Sequence, residues 1–115
     1  MIQQWIDEIK AACPKDQLGM LLIHNGIVRA TSKDGRPVKG MFLTYDETLL
    51  RQTVARFRDT PGIVDIKAWI NNGSLSVGDD IMVVLVAGRF RTDVLPVFQD
   101  LIREIKNHVV SEKEV

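Results

Sequence analysis

Residues 81–88 read IMVVLVAG, eight positions in a row without a polar side chain. The run is far shorter than the roughly 20 residues that cross a bilayer. It also lacks the polar positions that a surface helix or a one-sided strand would show. It therefore predicts a central strand covered on both faces, and the rest of the chain has to supply the covers. Three segments have the pattern for that task. Ile2, Trp5, Ile6 and Ile9 fall at helical spacing and predict an amphipathic helix ending near Cys13-Pro14. "DETLLRQTVARFRDT" (46–60) puts Leu49, Leu50, Val54 and Phe57 on one stripe, with Asp46 as N-cap and Pro61-Gly62 as the stop. Leu95, Phe98, Leu101, Ile102 and Ile105 mark a third helix starting around Thr92-Asp93, with Pro96 in its first turn.

The remaining apolar stretches read as strands. "LGMLLIHNGIVR" (18–29) is one, and Gly19 and Gly26 inside it suggest a bend or a close backbone approach. Asp34-Gly35 in "SKDGRP" predicts a hairpin that returns through "VKGMFLTY" (38–45). "IVDIKAWI" (63–70) alternates as a strand, "NNG" supplies a turn and "SVGDD" a further connection. The predicted order is α-β-β-α-β-β-α. That order describes one α+β domain over residues 1–115, a largely antiparallel sheet with packed helices, without repeat or linker. The C-terminal "VVSEKEV" is a poor helix former at Val109 and Val110, and it is expected to fray.

Charge and cysteine content narrow the function classes. Fifteen basic residues balance fifteen acidic ones, so nothing draws the whole chain to nucleic acid or to an anionic membrane, and an anion site must be a local cluster. Cys13 is the only cysteine and has no partner at metal-ligand spacing. Asp7 and Glu8 interrupt what would be the apolar part of a signal peptide, so a soluble, cytoplasmic protein is expected. No phosphate-binding loop, dinucleotide fingerprint, nucleophile elbow or zinc motif occurs.

The local cluster has few candidates. In "VLVAGRFRTD" a buried strand exits through Arg89 and Arg91 into a helix start, and two residues apart on an extended chain face the same way. The pair could grip a phosphate or carboxylate, or be simply solvated. Arg29 ends the first strand in the same manner. Lys106 borders the apolar stripe of the last helix, and Lys113 would share its face if that helix continued. His24 lies within an apolar strand and reads as a half-buried, hydrogen-bonded imidazole. His108 reads as exposed, and Asp79-Asp80 as a solvated turn.

These positions carry a resemblance. "GIVR" (26–29), "VKGMFLTYDE" (38–47) and "GSLSVGDD" (73–80) are followed by a strand-end Arg91, by Lys106 fifteen residues later and by Lys113 seven beyond that, with Glu114 next. In these motifs the chain resembles the catalytic (large) subunit family of molybdopterin synthase. Three segments depart from the family pattern. Phe90 stands for a histidine, Ile70-Asn71 for a His-Arg pair, and "VSE" (110–112) for a Pro-x-Trp.

The resemblance implies an α/β-hammerhead-type fold and sulfur transfer to cyclic pyranopterin monophosphate, forming the molybdopterin dithiolene. The sulfur arrives on a ubiquitin-like small subunit as a C-terminal thiocarboxylate, and a homodimer of large subunits makes a heterotetramer. Lys106 would be the catalytic acid/base or covalent group, helped by Lys113. Arg29 and Arg91, and more weakly Arg89, would hold the phosphate. Neither a metal nor another cofactor is implied for the transfer. The other reading of the departures is a non-catalytic relative that binds a pterin phosphate or a ubiquitin-like tail.

Overall fold

A computed structural model describes residues 1–115. Its centre is β5 (Asp80–Gly88), in which every residue after Asp80 is buried. It lies antiparallel between β1 (Met20–Ile27) and β3 (Ile63–Ile70), in the order β1-β5-β3. Alternation along the strand sends Leu85 and Ala87 to one face, against Ile9, Trp5 and Ile6 of α1 (Ile2–Ala12). Met82, Val84 and Val86 point to the other face. There they meet Leu50 and Val54 of α2 (Glu47–Arg58) and Val94, Val97 and Leu101 of α3 (Arg91–Glu104). The two-sided cover expected for an all-apolar strand is therefore present.

A second antiparallel sheet, in the order β4-β2-β6, closes the main core. Its strands are β2 (Gly40–Tyr45), β4 (Gly73–Ser76) and β6 (Val110–Glu114). Met41, Leu43 and Leu75 point inward and belong to the same core cluster as Val84 and Leu101. Phe42 and Thr44 point out, and Phe42 is exposed. No helix is long and apolar enough to cross a membrane.

The elements differ from the sequence expectation in four places. Asp34-Gly35 does make a turn, with Gly35 at φ 85° and a Thr31–Pro37 bridge, but β1 and β2 do not pair. β1 pairs with β5 instead, because a strand apolar on both faces needs a ladder on each edge, and β2 goes to the second sheet. The segment after "NNG" forms the additional strand β4, so the order contains β-β-β where β-β was expected. The third helix opens at Arg91, which places Pro96 in its second turn and rotates the buried stripe to Val94, Val97 and Leu101, leaving Leu95 38% exposed.

The fourth difference is the tail. It does not fray. A five-residue π-helical turn (Ile105–Val109), in which the amide of Val110 returns to the carbonyl of Ile105, delivers the chain into β6. β6 then pairs with β2 from Tyr45–Val110 to Met41–Glu114. Val109 and Val110 are unsuited to helix and suited to strand, and β2 offers them an otherwise open edge.

Asp46 caps α2 as expected, its carboxylate accepting the amide of Leu49 at 3.0 Å. Gly19 is the close approach that its position suggested. Its amide donates to the Gly88 carbonyl at 2.8 Å, and a Cβ there would collide with the Arg89 carbonyl.

Candidate functional site

Lys106 is placed by its neighbour. Ile105 is fully buried and fixes the start of the π-turn, so the next side chain emerges at the core's edge. π-helical turns are frequent at functional sites, and this one ends the helix and hands the chain to β6. The ammonium of Lys106 stands 3.7 Å from a carboxylate oxygen of Glu112, an open pair with the lysine side chain 44% exposed.

The β6 register decides what becomes of Lys113. Glu112 is opposite inward-facing Leu43, and Lys113 is opposite outward-facing Phe42. Alternation thus puts Glu112 on the face that Lys106 reaches and Lys113 on the outer face of the second sheet. The helical face that the two lysines would have shared had the helix continued does not exist, because the helix ends between them.

His24 is within reach of the Lys106 charge. It has the parity of Leu22 and Gly26 on β1, so its ring points to the main-core face on which α3 packs, away from α1. Gly26 makes room for it, since a Cβ there would come 3.2 Å from His24 Nε2. The ring is half-buried as expected, but Nε2 is buried without a hydrogen-bond partner, contrary to expectation. An unmet buried nitrogen costs about 1–3 kcal/mol, which an apolar residue at position 24 would not incur. Burial, and after it the positive charge of Lys106, hold the imidazole below its ordinary value of 6.5.

A pH effect on stability follows. Between 6.5 and the lower folded value, the unfolded chain binds more protons than the folded one, so stability falls as pH falls. Melting temperature should decline below about pH 6.5, and the decline should be shallower in His24→Phe. Parallel pH profiles for the two proteins would rule this out.

The arginines are separated. Ile27 is opposite Asp80 at one end of the β1–β5 ladder and Met20 is opposite Gly88 at the other, roughly 23 Å apart at strand rise. Arg29 lies beyond the first end, where its guanidinium reaches the Thr31 hydroxyl at 3.3 Å. Arg89 and Arg91 lie beyond the second. Arg91 opens α3 and is exposed, and the helix then carries the chain roughly 22 Å to Lys106. Arg89 bonds Asp93 at 3.3 Å and lies over the Phe90 ring at 5.7 Å, so it braces the start of the helix. It does not point the same way as Arg91 by strand alternation, since Arg91 is already helical.

One chain therefore does not gather Arg29, Arg91, Lys106 and Lys113. It brings Glu112 to Lys106, and leaves His24 within reach of the Lys106 charge. Glu112 escaped the sequence reading because only strand pairing carries it back to Lys106. The signal for His24 was its two-residue spacing from Gly26.

Other titratable groups are used locally. Asp79 accepts the Ser76 amide, and Asp80 accepts the Asn25 side chain, as a turn requires. Burial raises the Cys13 thiol above its usual range, which makes it a poor nucleophile. Two cavities are lined by residues other than Lys106 and His24. One of about 410 Å³ is bounded by Lys10, Cys13 and Leu18, and one of about 470 Å³ by Trp5, Val54 and Arg58.

Residues 2–108 match the MoaE protein family. The chain belongs to that family. Membership ties it to molybdenum cofactor biosynthesis. A curated relative, an uncharacterized protein of Methanocaldococcus jannaschii, is 28% identical over 98 residues, 82% of each chain. Among solved structures, molybdopterin synthase from Staphylococcus aureus superposes with a TM-score of 0.79 at 21% identity, over 100% of this chain and 84% of that one. The complex of subunits 1 and 2 of molybdopterin-converting factor from Helicobacter pylori gives 0.75 at 19% identity, over 98% and 74%. The MoaE protein of Burkholderia ambifaria gives 0.78 at 22%, over 100% and 82%. At these identities the structural likeness is one of fold. The α+β architecture with antiparallel sheets is thus a MoaE fold.

Proposed function

We propose that this chain is the large subunit of a molybdopterin synthase and transfers sulfur to cyclic pyranopterin monophosphate. The observation that carries the reading is Lys106. It keeps the family spacing from Arg91, and a buried isoleucine and a π-turn present its amine at the edge of the core. In each transfer, sulfur leaves the acyl carbon of a thiocarboxylate on a ubiquitin-like small subunit and bonds a carbon of the pterin in place of an oxygen, which departs as water or as the released end of the cyclic phosphate. Water replaces the sulfur on the acyl carbon, which returns the small subunit as a carboxylate.

Lys106 acts there as proton carrier or as transient covalent partner of the acyl group. Arg29, at the end of the sheet to which α3 returns, holds anionic oxygens. Arg91, at the opposite end of α3, and Lys113, on the outer sheet face, serve Lys106 only across a homodimer. That is the role we assign to the dimer. Arg89 braces the helix that bears Arg91. The H. pylori relative was solved with its subunit 1, which supports a small-subunit partner here.

A second reading has one observation in its favour. Glu112 stands where the family pattern has tryptophan, and it pairs with Lys106, which suits a relative that binds the pterin phosphate or the small-subunit tail without turnover. Reconstitution separates the two. Protein, thiocarboxylated small subunit and cyclic pyranopterin monophosphate are combined, and product is read as its fluorescent oxidised derivative. Product formation supports the synthase. Binding of the small subunit without product leaves only the binding reading.

A further inference from the structure

His24 has no role in the chemistry above, and two features set it apart from the core around it. Its Nε2 is the one side-chain nitrogen or oxygen that is buried without a partner in the chain. The ring also lies along β1 over Gly26, within reach of the charge on Lys106. Leu22, two residues earlier on the same face, shows that an apolar side chain fits this row.

Burial and the neighbouring ammonium keep the ring uncharged near neutral pH. An uncharged imidazole beside a fixed cation is not a second anion holder. It exchanges one hydrogen bond with a neutral N–H or C=O group. Lys106, Asn107 and His108 on the π-turn are all exposed, and Lys106 is near enough to the ring to act on its charge.

We propose that His24 is a substrate-contacting residue, its Nε2 exchanging a hydrogen bond with an uncharged ring N–H or C=O group of the bound pterin while Lys106 faces the anionic part. This deepens the synthase reading and rests on it. His24 selects the heterocycle and the cations select the charge. A ligand with phosphate alone gains nothing from His24.

The test is calorimetric titration of cyclic pyranopterin monophosphate, and separately of inorganic phosphate, into wild type, His24→Phe and His24→Gln. Phenylalanine keeps a planar ring, somewhat larger than imidazole, and removes the unmet nitrogen, so that variant should fold and melt close to wild type near pH 7. Its pterin phosphate Kd should rise about tenfold, equivalent to about 1.4 kcal/mol, and its KM should rise with kcat nearly unchanged. Its response to inorganic phosphate should match wild type. His24→Gln, which restores a hydrogen-bonding group, should recover part of the affinity. Equal pterin affinity in wild type and His24→Phe would overturn the role of His24 and leave the synthase reading intact. Wild type that does not bind the pterin at all would overturn both.

Discussion

Lys106→Ala should abolish product formation in the reconstituted reaction while leaving the fold intact. The expected loss is on the order of a thousandfold, the range for removing a positioned proton carrier, and larger if the amine forms a covalent bond. Stability should change by no more than about 0.5 kcal/mol, because Lys106 is exposed and its pair with Glu112 is long and solvated. Lys106→Arg separates charge from chemistry. Arginine keeps the cation but is a poor proton donor and nucleophile, so it should retain phosphate binding and still yield no product. An active Lys106→Arg would reduce Lys106 to an anion holder. Wild-type turnover in Lys106→Ala would remove it from the mechanism.

Ile105→Ala, one residue away, should do the reverse and strike the fold first. Ile105 is fully buried where α3, the π-turn and β6 converge, within the core shared by both sheets. Truncation of a packed isoleucine to alanine costs about 2–5 kcal/mol in lost burial and residual cavity. That is a large part of the roughly 5–15 kcal/mol that holds a domain of this size together. The midpoint of urea unfolding should fall accordingly. The turnover that remains well below the new melting temperature should show a reduced kcat, since Lys106 no longer starts from a fixed anchor. A midpoint within 0.5 M of wild type, an estimate from a slope of about 1–3 kcal/mol per molar, would mean that the π-turn is not anchored by this side chain. The contrast between neighbours is the informative part, with chemistry lost at 106 and stability lost at 105.

His24 and Glu112 sharpen the choice between an enzyme and a binding protein. Glu112 neutralises part of the charge that Lys106 offers, while His24 holds an unmet nitrogen within reach of that charge. A protein that only bound a phosphate would have no use for the second feature, because phosphate calls for charge and donors on one side. The two together suit a ligand with an anionic part and a neutral heterocyclic part.

Much of this was legible in the chain alone. IMVVLVAG could only be a covered central strand, because eight apolar side chains in an extended segment have no face to give to water. The three helices followed from period-3.6 stripes, and the α2 cap from the side-chain chemistry of Asp46. The spacing from Arg91 through Lys106 to Lys113 pointed to a family. These are local properties, set by a residue and its neighbours within a few turns.

What the sequence left undetermined was who meets whom. Whether "VVSEKEV" frays or joins β2 depends on an open strand edge some seventy residues away. That pairing puts Glu112 beside Lys106 and turns Lys113 to the outer face. Likewise, the ladder and α3 part Arg29 and Arg91 by a strand's length, although chemistry would have them share one anion. Side-chain identity determined what each group can do. Strand register and helix length determined which groups can do it together, because both act over distances that no local pattern encodes.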